Sequence, residues 1–249
     1  MRTLSAGLVL AAVLFAAGCG GSSGGGGSGG SSQASGLATE SANAVLRDAS
    51  KAAQDASSFH MSGTIHSSSG TFGSTGVGVD LSVVHGKGAT GSLTVGGSKV
   101  DLIVAGNSGY MRASSAFWKK FAAKQGGGAA ASFAASLFGG KWLKFPANNK
   151  SFQALTSPTR ANSIFKSLNF HHGKLENQGE KTFKGQSVVA ITDTTKGGTL
   201  YVAATGTPYP VALTKAGGKS GGAITFGDWN QPVTVTAPKG ALDLSQFGG

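Results

Sequence analysis

Apolar residues recur at every second position along two long stretches of this chain, and near helical spacing in the stretches around them. In the first, Val77, Val79, Leu81 and Val83 alternate with Gly78, Asp80 and Ser82. Leu93 and Val95 continue the pattern, as do Val100, Leu102 and Val104, with residues 58–66 before them and 109–113 after. A strand turns successive side chains to opposite faces. This alternation, cut by glycine-rich turns, therefore predicts about five antiparallel strands with one face buried. The last third alternates again, and 174–182, 186–192, 199–204, 211–215, 223–229 and 233–236 read as six strands. Their apolar positions include Leu200 and Val202, Val211 and Leu213, and Ile224 and Phe226.

Helical spacing appears at 39–56, where Leu37, Ala42, Val45, Leu46, Ala49, Ala53 and Ala56 lie opposite Glu40, Arg47, Asp48, Lys51 and Asp55. Thr39 or Ser41 supplies a cap oxygen. The stripe is thin, so this helix is expected to lie on another element rather than fill a core. Residues 114–125 and 129–138 also read as helices. Phe117, Trp118 and Phe121 share an apolar side of the first, and Phe133, Leu137 and Phe138 of the second. A short strand at 141–145 ends at Pro146. A further helix at 158–168 turns Ile164, Phe165 and Leu168 inward. The strand connections are too short to place helices on both faces, and a sheet of this many strands must curl. The predicted fold is α+β: one curved antiparallel sheet, a half-open barrel, covering helices on its concave side.

The chain opens differently. Met1 and Arg2 precede an uncharged run at 6–17, and Ala16-Ala17-Gly18 lead into Cys19, the one cysteine in 249 residues. This is the layout of a secretory signal peptide over 1–18, and the run is shorter than the roughly 20 residues of a membrane span. A cysteine directly after the cut resembles a bacterial lipobox, with Ala16 where leucine is commoner. The resemblance implies a diacylglyceryl group on the Cys19 thiol, cleavage before it, and often acylation of the new amine. The other reading is a buried or free thiol after an ordinary signal peptide. Two acyl chains attach a protein stably where one does so marginally. All but Gln33 and Ala34 of positions 20–36 are Gly or Ser, a flexible tether spanning roughly 20–25 Å r.m.s.. Residues 37–249 then form one domain on the outer face of the cell membrane.

Charge narrows the partners. The chain carries 21 Lys and Arg against 10 Asp and Glu. A basic exterior favours anionic lipid headgroups or acidic wall polymers. It does not suit nucleic acid: the lysines are spread singly, the arginines beyond the leader are Arg47, Arg112 and Arg160, and the signal exports the chain.

Candidate chemistry is thin. His60, His66, His85, His171 and His172 do not offer the short ligand spacing that Zn2+ takes, although His60 and His66 share a strand face. Ser163 and Lys166 fit S-x-x-K without its companion motifs. The G-x-S-x-G matches lie in the tether. Glu176 and Glu180, pointing the same way on a regular strand, would stand about 13 Å apart, beyond the roughly 6.5–9.5 Å of an inverting glycosidase pair. Trp118, Trp142 and Trp229 read as core packing before pocket mouth. No catalytic residue, metal or cofactor is expected.

A wider resemblance rests on "SSFHMSGTI", "GYMRASSAFWKKF", "GKWLKF", "GTLYVAATGTPYPVALTKAGG" and "ITFGDWNQPVTVTAPKGALDLS" behind the acylated cysteine and tether. Across 37–249 the chain resembles the actinobacterial LppX/LprG-type lipoproteins and, more distantly, the LolA/LolB carriers. The resemblance implies a half-open barrel closed by helices, an apolar cavity for acyl chains, and no catalytic group. The candidate lining is Val79, Leu81, Val83, Leu93, Val95, Val100, Leu102, Val104, Phe117, Phe121, Phe133, Leu137, Leu200, Val202, Leu213 and Phe226. Glycine and alanine among them are expected to leave room. An empty apolar cavity costs roughly 20–25 cal/mol per Å3, which a lipid tail would offset. The expected function is an envelope lipoprotein that binds or carries a lipid or lipoglycan, with an export or transport protein as a further partner. The alternative is a structural or regulatory wall lipoprotein with a filled core and a protein or polymer partner. A pocket below roughly 300 Å3 would favour the latter.

Overall fold

The computed structural model describes residues 36–66, 76–124, 127–146, 149, 165, 172–216 and 221–247, with residues 124, 129, 130 and 247 described by backbone alone. The leader, Cys19, the tether and all of the helix expected at 158–168 except Phe165 lie outside them.

A 3-10 turn, Gly36–Thr39, leads into α1 (Ala42–Asp55). The turn takes Thr39, so α1 begins three residues later than expected. Ser41 is the cap: its hydroxyl oxygen accepts the Ala44 N–H at 3.3 Å. Val45, Leu46, Ala49 and Ala53 form the buried stripe, while Lys51 and Asp55 pair at 2.6 Å on the exposed side.

Five strands follow: β1 (Ser58–Ile65), β2 (Val77–Val84), β3 (Gly88–Val95), β4 (Ser98–Ala105) and β5 (Ser108–Ala113). Two helices, α2 (Ser115–Lys124) and α3 (Gly128–Phe138), precede β6 (Trp142–Pro146). The remainder is β7 (Leu175–Phe183), β8 (Gln186–Asp193), β9 (Thr199–Ala203), β10 (Pro210–Lys215), β11 (Gly222–Gly227) and β12 (Leu242–Asp243). They form one 12-stranded sheet in the order β12-β6-β5-β4-β3-β2-β1-β11-β10-β9-β8-β7. All pairings are antiparallel except β12 with β6. The sheet is open, with β12 and β7 as its edges, and the helices pack on one face.

β1 joins the two meanders, pairing with β2 on one side and β11 on the other. The register carries one apolar row through it. Leu143 stands opposite Met111, Met111 opposite Leu102, Leu102 opposite Gly91, Gly91 opposite Leu81, Leu81 opposite Met61, and Met61 opposite Phe226. One step along β11 the row resumes from Ile224 to Leu213, Leu200 and Ile191. The neighbouring row faces the other way and is polar over half the sheet, with Ser62, Asp80, Ser92, Asp101 and Arg112 in line. The alternation seen in the sequence therefore does separate two faces.

Three expectations are corrected. Residues 233–236 form no strand. Pro232 and Pro238 bracket them, and each removes a ladder donor; β12 takes the sheet edge instead. β11 stops at Gly227, because Asp228 and Asn230 take left-handed φ of 50° and 62° and turn the chain. In β7 a bulge lies between Asn177 and Glu180, with Gly179 at φ 69°. The extra residue inverts the alternation, so Glu176 stands opposite Thr192 and Glu180 opposite Val189, on different faces rather than the same one.

The bulge also anchors α1. Asn177 Nδ2 donates to the carbonyls of Leu37 (3.0 Å) and Glu40 (2.9 Å), and Oδ1 accepts the Gly179 N–H at 2.8 Å. At Gly63 and Gly91 the backbone sits at φ 151° and 149°. A Cβ there would strike the carbonyls of Ala223 and Asp80, so only glycine lets neighbouring strands approach at these points of the inner row.

Candidate functional site

The inner face has two apolar clusters. One joins β1–β6 and β11 to α2 and Phe165, and the other joins α1 to β8 and β9. Half-buried Leu213 packs against both. All twelve strand residues of the candidate lining fall on this face. Val79, Leu81, Val83, Leu93, Val95, Val100, Leu102 and Phe226 belong to the first cluster, Leu200 and Val202 to the second, and Leu213 bridges them; Val104, buried opposite Ala89, lies on the same face.

The helical candidates divide. Phe117 is buried, and the ring of Phe121 stacks on it at 6.0 Å with 12° between planes. Leu137 is half-buried. Phe133 is 67% exposed, not inward as expected. α3 contains only Gly, Ala, Ser, Phe and Leu, so no polar stripe marks its outer side. It packs through Ala131, Ala135 and Phe138, a line of mostly small side chains that lets it come close to α2.

Aromatic side chains close the centre. Phe59, fully buried, lies 5.4 Å from Phe165, 5.2 Å from Trp229 and 6.3 Å from Phe226. Tyr209 stacks on the other side of this group, 4.5 Å from Trp229 and nearly parallel. Asn230 pins the corner. Its Nδ2 donates to Tyr209 Oη at 2.7 Å, its Oδ1 accepts the Ser57 N–H at 2.8 Å, and its own N–H reaches the Ser58 carbonyl at 2.9 Å. Trp118 is buried against Phe117, Phe121 and Phe138. Trp142 lies on the outer face beneath the Arg112 guanidinium, 4.8 Å away. Nor does the space above every inner glycine stay vacant, for the ring of Phe145 lies across Gly109.

A cavity of about 270 Å3 opens between α1 and strands β7–β10. Its apolar wall is Leu46, Leu175, Ile191, Leu200 and Leu213, and its mouth carries His172, Asp193, Lys196, Gly197, Gly198, Thr214 and Lys215. The turn after β8 shapes the mouth. Asp193 Oδ2 accepts the Gly173 N–H at 2.7 Å, and Oδ1 accepts the N–H groups of Thr195 (2.9 Å) and Lys196 (2.7 Å). These amides, Gly173 first, hold the carboxyl below its ordinary range. Leu200 and Leu213 were legible as candidates. Leu46, Leu175 and Ile191 were missed, Ile191 because it sits in the continuous run Val188–Ile191, where alternation is hidden. Phe59, Met61, Met111, Leu143 and Phe145 were also missed, although alternation along β1, β5 and β6 marks them.

The outer face of β7–β9 holds a depression of about 490 Å3, lined by Gln178, Lys181, Thr182, Phe183, Ala190, Thr192, Thr199 and Tyr201. Phe183 and Tyr201 stack there at 4.5 Å. On the same face His60 Nε2 lies 3.0 Å from Asp80 Oδ1. Among the described residues no three His, Cys, Asp or Glu side chains converge as a metal site, and no helix is long and apolar enough to cross a membrane.

No family model matches the chain, and no curated protein matches it. Solved structures do. LprF from Mycobacterium bovis superposes with a TM-score of 0.53 at 16% identity, over 80% of this chain and 97% of that one. The Mycobacterium tuberculosis lipoprotein LppX gives 0.51 at 18% identity, over 78% of this chain and 98% of that one. The fold is of the LppX/LprG type. The long-range pairing of β1 with β11 places both meanders on one inner face.

Proposed function

We propose that this chain is an envelope lipoprotein that binds an amphiphilic lipid or lipoglycan through its acyl part. Residues 1–18 act as the export signal, acylated Cys19 and residues 19–36 as anchor and tether, and 37–249 as the binding domain on the outer face of the membrane. The observation that carries the reading is the cavity beneath α1, with five aliphatic side chains as its wall and a surface mouth. Hydrocarbon entering it leaves water without displacing any polar partner, a gain of about 25 cal/mol per Å2 buried. The LppX-type fold supports the same reading. The reading calls for no turnover: the inner face, as far as the described residues form it, offers shape and apolar area. Native mass spectrometry of the full chain carrying Cys19→Ser, expressed in bacteria, tests the proposal. Co-purifying lipid, or saturable uptake of a fluorescent fatty acyl probe, is the expected result. Lipid-free protein with no uptake overturns it.

Two observations favour the second reading, a structural or regulatory wall lipoprotein with a filled core. The cavity, about 270 Å3, is slightly smaller than the roughly 300–1,000 Å3 of most ligand pockets, and Phe145 fills the place above Gly109. A protein or acidic polymer met by the basic surface would then be the partner, and pull-down with wall polymer in place of lipid would reveal it.

A further inference from the structure

We propose that the cavity beneath α1 selects one acyl chain carrying an anionic head, a carboxylate or a phosphate, and that Lys215 at the mouth meets that head. The inference rests on the acyl-binding reading above and adds the class of ligand and the residues that choose it.

Volume sets the chain. About 270 Å3, at about 30 Å3 for a water-sized group, accommodates about nine carbon positions of a single chain. Two or three chains side by side do not fit within these walls.

Charge sets the head. The charged side chains lining the cavity are Asp193, Lys196 and Lys215, with His172 beside them. Asp193 faces inward to its own turn: Gly173, Thr195 and Lys196 direct three backbone N–H groups at its two oxygens. The carboxylate so bonded keeps its negative charge, which offsets one of the two ammonium charges and leaves the rim net positive, and it fixes the loop that carries Lys196. Lys215, exposed at the end of β10, has no ion-pair partner among the described residues. Gly197 and Gly198, at φ 73° and 113°, add backbone to the mouth, and the stem of Lys215 lies beside Gly198. A head group can therefore lie beside the Lys215 ammonium while its tail passes to Leu213, Leu200 and Ile191. Ammonium groups at a water-exposed rim contribute modestly and are screened by salt, so they set preference among heads while the apolar wall sets retention.

The test uses the full chain carrying Cys19→Ser and four ligands built on ten-carbon chains: decanoate, decyl phosphate, decanol and decyltrimethylammonium. Titration calorimetry at low salt is expected to give both anions about two- to fivefold tighter binding than decanol, and the cation the weakest. The ratio of decanoate to decyl phosphate tells which anionic head the mouth prefers. Lys215→Glu is expected to cut the preference for anion over cation at least tenfold. Leu213→Trp, which fills the cavity, is expected to abolish binding of all four while far-UV circular dichroism stays unchanged. Decanol binding as tightly as decanoate, or a Lys215→Glu chain with undiminished anion preference, overturns the head-group inference and leaves acyl binding standing. Binding that survives Leu213→Trp in a folded chain places the ligand elsewhere and overturns the assignment of this cavity. Failure of all four ligands to bind removes the acyl reading of the cavity itself.

Discussion

Replacing Phe59 by alanine tests whether the inner face is interlocked at its centre. Phe59 lies on β1, the strand joining the two meanders, and is fully buried. Four rings surround it: Trp229 at 5.2 Å, Phe165 at 5.4 Å, Phe226 at 6.3 Å and His85 at 6.4 Å. Phe→Ala in a packed core costs about 3–5 kcal/mol, a transfer loss plus the void left behind. Aromatic pairs add about 0.5–1.5 kcal/mol each beyond area, so the upper part of that range, about 4–5 kcal/mol, applies here. Domains are stable by only about 5–15 kcal/mol. With an m-value of about 1–3 kcal/mol per molar urea, the midpoint should fall by at least about 1.3 M. The assay is equilibrium urea unfolding of the Cys19→Ser chain, followed by circular dichroism and by the fluorescence of Trp229, whose ring partner is lost. Phe59→Leu should lose well under half as much. A midpoint change below about 0.5 M at unchanged m would show that the rings do not interlock, and the account of the core would fail.

Gly91→Ala should destabilise by about 1–3 kcal/mol, because its φ of 149° and the Asp80 carbonyl leave no place for a methyl group; the same unfolding curve measures it. Ser41→Ala should cost about 0.5–2 kcal/mol through loss of the α1 cap, and Ser41→Asp should restore most of it. Asp193 and Asp243 are held below their ordinary value of 3.8, Asp193 chiefly by the Gly173 N–H and Asp243 chiefly by the Ser245 hydroxyl. Their contribution is complete above that value and lost as pH falls through the lowered folded-state values. A pH series of urea midpoints should therefore drop on the acid side, and the drop should be smaller in Asp193→Asn; an equal drop in the variant would refute the assignment. Cys19→Ser should move the exported chain from the membrane fraction to the soluble one, and retention in membranes would exclude the acyl anchor.

The sequence alone determined which residues share a face. Alternation at Val77–Val83 and Val100–Val104 marks the inner side because a strand cannot turn two successive side chains the same way. Ser41 and the stripe from Val45 to Ala53 marked α1 for the equally local reason of helical spacing. Every strand residue named for the cavity lies on the face so marked. Which strand lies beside which was not local. His60 meets Gly227 across a chain separation that no period records. The tertiary structure decided that β1 closes on β11, that Pro232–Pro238 leaves the sheet while Leu242 joins it, and that Gly179 inverts β7. It also decided that Phe133 faces water, since a helix of alanine, serine and phenylalanine has several apolar sides and only a neighbour chooses among them. The cavity is of the same kind. Leu46, Leu175, Ile191, Leu200 and Leu213 come from five elements, and their meeting is a property of packing that no single stretch of sequence contains.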